Sequence, residues 1–244
     1  MPDVTQPRGI EGRGSSPRRV AAPRLTRVLL ACGAIGPVVF WVLGGVAAAA
    51  WPGYDVVADS ISSLVHAPLG WLQVLAFAIG APLTLAWAVG AGRVIGAAAR
   101  DRNIVRAVFA MQAAIALAFA LLPTDAAGAP MTVIGGLHLL TFYVYAVATL
   151  ISLAAAAWVF GRDPAWWPWA RPTAGAAALM VVATLLVPLT ISGPLEAWLG
   201  LLERIYVAIP GAWQALVAVR ALRLESRRTD EADAAPTRAR GPDA

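Results

Sequence analysis

Residues Val28 to Ala50 read VLLACGAIGPVVFWVLGGVAAAA, without a single charged side chain. A secretory signal needs an apolar stretch of only about 7–15 residues. About 20 residues at 1.5 Å each are what a helix needs to cross the hydrocarbon of a bilayer. The run therefore predicts an uncleaved membrane-spanning helix, despite the small residues Ala47 to Ala50 that could suit a peptidase.

Outward from that run the pattern repeats. Apolar segments predict six spans, over about 28–50, 70–92, 104–122, 134–160, 173–191 and 194–222. The chain has 244 residues, 59% hydrophobic and 14% charged, against about 25% charged in a soluble domain. Residues 1–26 are rich in Pro, Gly, Ser and Arg, and 223–244 are polar with mixed charge. Both read as disordered tails. The expected fold is all-α, a polytopic six-helix membrane bundle spanning 27–222.

All 19 basic residues are Arg, and their placement orients the bundle. Arg8, Arg13, Arg18, Arg19, Arg24 and Arg27 precede the first span. Arg93, Arg100, Arg102 and Arg106 follow the second. Arg162 and Arg171 follow the fourth, and Arg220, Arg223, Arg227 and Arg228 close the sixth. The alternate connections, 52–69, 123–135 and 192–198, contain none. Six spans with both termini cytoplasmic satisfy the positive-inside rule at every loop, which places the protein in the cell membrane with the Arg-free loops outside. The net charge of +5 sits mostly in tails and one loop. It suits anionic lipid headgroups rather than nucleic acid. Trp166, Trp167 and Trp169 on one side, with Trp51, Trp71 and Trp198 on the other, read as interfacial anchors. The lone Cys32 allows no intramolecular disulfide and no Cys-rich metal motif.

The first outer loop, Tyr54 to His66, reads YDVVADSISSLVH. Asp55, Asp59, Ser62 and His66 recur at i, i+4, i+7 and i+11, and Val57, Ile61 and Leu64 form a second stripe. This spacing predicts a short amphipathic helix lying at the interface or folded over the bundle. Further polar residues belong to the same side: Asp125 just past the third span, His138 at the start of the fourth, and Glu203 with Arg204 in the sixth. A charge inside a bilayer is costly, so Arg204 is expected to find a carboxylate, Asp59 or Asp125, on another segment.

In Tyr54-Asp55, Asp59-Ser60-Ile61-Ser62-Ser63-Leu64, Leu122-Pro123-Thr124-Asp125, His138 and Gly200-Leu201-Leu202-Glu203-Arg204, the chain resembles the bacterial six-helix integral membrane family catalogued as domain of unknown function 998. The resemblance covers about residues 27–222. It implies the six-helix fold and brings no established activity.

No GxSxG, HExxH, P-loop or GxGxxG motif is present, and no cofactor is evident. Residue types allow a divalent metal at His138, Asp125 and Glu203, without a diagnostic spacing. Three functions fit. One is an outward-facing polar pocket of Asp55, Asp59, Ser62, His66, Asp125, His138, Glu203 and Arg204 that binds or processes a lipid-like or small amphipathic ligand. The second is a structural or sensor partner whose polar cluster is an inter-helix ion-pair network. The third is a proton-coupled carrier of small solutes, which the apolar first, second and fifth spans disfavour.

Overall fold

The computed structural model describes residues 23–191 and 193–239, with side chains over 24–190 and 193–231. The first 22 residues of the expected N-terminal tail, and 240–244, lie outside the described residues.

Six long helices carry the fold: α1 (Pro23–Ala49), α2 (Trp71–Val94), α3 (Ala99–Leu121), α4 (Val133–Phe160), α5 (Trp167–Ile191) and α6 (Leu199–Ala239). Short 3-10 turns lie at Ser62–His66 and Glu196–Trp198, and no strand occurs among the described residues. All six helices are long and apolar enough to cross a membrane, as the apolar runs require. In hydrocarbon every backbone N–H and C=O must be bonded within the protein, and a helix does this locally. The outer surface is correspondingly apolar, with Leu85, Val147, Val182 and Leu185 each more than half exposed. The chain is a multi-pass membrane protein.

Each helix packs on its neighbour in chain order, and α6 closes the circle against α1. The result is a ring with an interior. At Gly90 of α2 the backbone of α1 comes so near that a Cβ would sit 2.9–3.0 Å from Leu29 and Leu30. The Arg-rich end of the ring is filled by aromatic rings. Trp87 meets Phe109 (5.3 Å), Phe109 meets Trp213 (6.0 Å), and Phe160 bridges Trp213 (6.5 Å) and Trp166 (4.9 Å). Trp213 Nε1 donates to Thr173 Oγ1 at 3.0 Å. Arg220 lies over Trp166 and donates to the Ala165 carbonyl.

Four expectations need correction. Trp166 is fully buried in this aromatic stack rather than anchored at an interface, whereas Trp167 is exposed as expected. Helix α5 begins at Trp167, not near Thr173. Pro168 then falls in the first turn, where a missing N–H costs nothing. Helix α6 continues from the expected end near Leu222 to Ala239, through a stretch rich in the strong helix formers Ala, Arg and Glu. Finally, Tyr54–Ile61 is a string of turns, with only Ser62–His66 forming a 3-10 helix. The amphipathic stripe survives in part, since Ile61 and Leu64 are buried. The helix stops after the bond from Asp59 N to Asp55 O because α6 takes the next pair: Ile61 N donates to Glu203 Oε2 and Val57 O accepts from Leu201 N.

Candidate functional site

The end of the bundle with the Arg-free connections is closed by the first of them, which lies across α6. That connection first ties itself down. Asp55 Oδ1 accepts from Val57 N (2.8 Å) and Ala58 N (3.4 Å), an Asx turn. Asp59 Oδ2 accepts from Asp55 N at 2.8 Å, while Asp59 N donates to Asp55 O at 2.7 Å. The Tyr54 hydroxyl donates to Ser60 O at 2.8 Å. Ser63 N donates to Ser60 Oγ, and Ser63 Oγ to Ser60 O.

Helix α6 then holds the connection from the other side. Arg204 Nη1 lies within hydrogen-bond reach of three carbonyls, Val56 (2.8 Å), Asp59 (3.1 Å) and Gly200 (2.9 Å). Its Nη2 donates to the Tyr54 hydroxyl at 2.7 Å, and the guanidinium stands 5.5 Å from the Tyr54 ring centre. Burial pushes the Tyr54 hydroxyl pKa up, against the pull of Arg204. Glu203 Oε2 accepts from Ile61 N at 2.7 Å and Oε1 from Ser62 Oγ at 3.4 Å. This carboxylate caps the 3-10 turn from another helix, where an acidic group favours the exposed N–H groups. The bonding is reciprocal, because Leu201 N in the first turn of α6 donates to Val57 O at 3.0 Å. Gly200 makes the approach possible. Any Cβ there would collide with the Asp59 carbonyl.

A second junction holds the turn after α3. His66 Nε2 meets Thr124 O at 2.9 Å, and His138 Nδ1 meets Leu122 O at 2.7 Å. A carbonyl only accepts, so Nδ1 of His138 carries the proton, which leaves Nε2 as an acceptor in the neutral ring. Asp125 accepts from Thr132 N (2.8 Å) and Thr132 Oγ1 (2.7 Å), and Thr132 Oγ1 in turn accepts from Gly135 N at 3.0 Å. Together they cap the start of α4. The two Thr132 bonds hold the Asp125 carboxyl below the usual carboxylate range.

The predicted site residues thus share one end of the molecule but form two clusters. Asp55, Asp59, Ser62, Glu203 and Arg204 make one, and His66, Asp125 and His138 the other. The expected pairing of Arg204 with a carboxylate does not occur. Arg204 takes the Asp59 carbonyl instead, and among the described residues the one ion pair within 4.0 Å is Arg162 with Asp101, at the opposite end. Among the described residues no three His, Cys, Asp or Glu side chains stand together as a metal site. His138, Asp125 and Glu203 are each engaged with backbone groups of a different segment.

Beneath the closure lies a central cavity of about 190 Å³. Ser62, His138 and Glu203 line its upper end, and Phe40, Phe77, Phe119, Phe142 and Tyr145 its walls. Its lower end is polar but uncharged. There Gln112 Nε2 donates to Thr149 Oγ1 and Ser152 Oγ, both at 3.2 Å, and Gln214 donates to Gly33 O at 3.1 Å. Tyr54 and Gly200 stood in the quoted motifs without a role, and Thr132 was not singled out; their roles lie in contacts across segments.

Replacing Gly200 with Ala should free the first connection from α6. The expected result is faster amide exchange at Ile61 and Leu201 with the α2–α3 core unchanged. Unaltered protection of both amides would show that the approach of α6 does not hold this loop.

No curated protein and no solved structure matches the chain. A family model described as a protein of unknown function, DUF998, matches residues 34–220, which takes in both junctions and every helix lining the cavity. The chain belongs to the DUF998 family.

Proposed function

We propose that this is a cell-membrane protein with both termini cytoplasmic, whose central cavity receives the chain of a lipid-like or small amphipathic ligand from the outward end. The observation that carries this reading is the cavity's shape. On α4 it is lined from His138 to Leu153, about 22 Å along the helix axis. A volume of about 190 Å³ over that length is a slot. An apolar cavity of about 150 Å³ admits a benzene ring when compact. Drawn out and walled by aromatic rings, a similar volume suits a slender chain. The polar groups at the slot's upper end, His138 Nε2, Glu203 and Ser62, would face the ligand's polar part.

A second reading has its own support. Asp55, Asp59, Asp125, His66 and Arg204 spend their hydrogen bonds on backbone groups. On that ground the outer cluster is a fastening with respect to the slot, where the groups left to meet a ligand are Ser62, His138 and Glu203.

Gly80 separates the two. It lines the slot, and a Cβ there would meet nothing within 4 Å. Gly80→Leu should fill the slot without strain, leaving the melting temperature equal or higher. Hydrophobic molecules that co-purify with the wild-type protein at one per chain should be lost from this variant, as read by native mass spectrometry. Equal retention in both, or none in either, would contradict a ligand in the slot. The proposed orientation predicts that reporter fusions at both termini are active only in the cytoplasm. An active external fusion at either terminus would contradict it.

A further inference from the structure

Beside the central slot lies a second cavity of about 450 Å³, within the roughly 300–1,000 Å³ of small-molecule sites. The end of α1, the first connection and Arg204 enclose it. Its size comes from missing side chains, since Gly44, Gly45, Ala48 and Ala49 form the α1 wall. Gly45, Ala49 and Trp41 are exposed, so the cavity opens on the flank of the bundle, where lipid would lie.

Two polar side chains border this apolar space without being used up. Gln73, in the first turn of α2, has no exposed surface, and neither Oε1 nor Nε2 of its amide has a partner among the described residues. The Oε1 end lies against α1, 2.9 Å from where a Cβ of Gly44 would be. That leaves the Nε2 end as two donors without an acceptor. An unpaired buried amide is costly and rare in native proteins, so an occupant that supplies the acceptor is the economical explanation. Arg204 is the second group. Its Nη1 and one Nη2 hydrogen serve the carbonyls and Tyr54. Its Nε–H and the other Nη2–H have no acceptor among the described residues. A guanidinium grips a carboxylate or phosphate with parallel bonds from Nε–H and Nη2–H.

The lining contains no acidic residue, and Arg204 is its one charged member. The site therefore offers donors, positive charge and an apolar surround. We infer that it binds the oxyanion head, phosphate or carboxylate, of a single-chain amphiphile. The Arg204 edge and Gln73 Nε2 hold the head, and the chain lies along Phe40 and Trp41. Those two residues and Ile61 also partition this cavity from the central slot. Gln73 and Arg204 line the second cavity only, so the site stands whether or not the slot is filled.

The full chain in phosphatidylcholine nanodiscs provides the test, with binding of hexadecyl phosphate, hexadecanoate and hexadecanol compared by native mass spectrometry. Both anions should bind at least tenfold more tightly than the alcohol. Gln73→Leu, nearly isosteric, should remove most of that preference while raising the melting temperature, because it deletes an unpaired amide. An alcohol that binds as tightly as the anions overturns the inference. So does a Gln73→Leu variant that melts lower and keeps the preference, since the amide is then structural. Full competition by inorganic phosphate at the same concentration overturns the amphiphile and assigns a free anion. Gly80→Leu blocks only the slot and should keep the preference. Loss of the preference in that variant would place the anion in the slot and overturn this site.

Discussion

A ring of six membrane helices leaves its connecting loops with backbone groups that no helix satisfies, and where the loops carry no Arg, Arg204 of α6 reaches across to meet part of that demand. One planar guanidinium reaches the carbonyls of Val56, Asp59 and Gly200 and the hydroxyl of Tyr54. A Lys, with a point charge and no fork, could not span them. Glu203 supplies the complement by accepting from Ile61 N. Adjacent residues on α6 thus read opposite polarities of the same loop. The charges sit near a helix end, where their cost is lower than at the bilayer centre, and charge-assisted hydrogen bonds to backbone groups offset it.

The rest of that end follows from this fastening. With Ile61 and Leu64 pressed inward, the loop roofs the central slot and walls the side cavity. His66 reaches across to Thr124 O, and His138 and Asp125 fix the turn from Leu122 to Thr132. At the opposite end Arg102 reaches the Gly96 and Ala97 carbonyls and Arg220 the Ala165 carbonyl, and Trp87, Phe109, Trp213, Phe160 and Trp166 fill the interior with packed rings. Hydrogen bonds to loop backbone thus tie the connections at both ends, and the aromatic plug is confined to the Arg-rich one.

Much of this was legible in the sequence, and for definable reasons. Apolar runs of about 20 residues marked all six helices, since hydrocarbon thickness sets their length. The acidic and His residues of the Arg-free loops were recognisable as one group. Their partners were not. A sequence displays side chains, so Arg204 invited pairing with a carboxylate, whereas its acceptors are carbonyls that every residue carries. Gly200 matters for the Cβ it lacks, and the side cavity for four small residues on α1. Periodicity over Tyr54–His66 suggested a helix because it cannot register that α6 takes Ile61 N and Val57 O, the pair whose bond would have continued it. The outer tryptophans and Trp166 looked alike by composition, and only packing distinguishes them.

The central claim is that the charged and hydroxyl side chains at this end are bound to one another and to the loop backbone as a unit. A double-mutant cycle between Tyr54→Phe and Arg204→Lys, read by equilibrium unfolding of the reconstituted protein, addresses this most directly. The account predicts non-additivity, with a coupling energy of about 1 kcal/mol or more, as expected of residues sharing one hydrogen-bond network. Losses that add to within about 0.5 kcal/mol would contradict it.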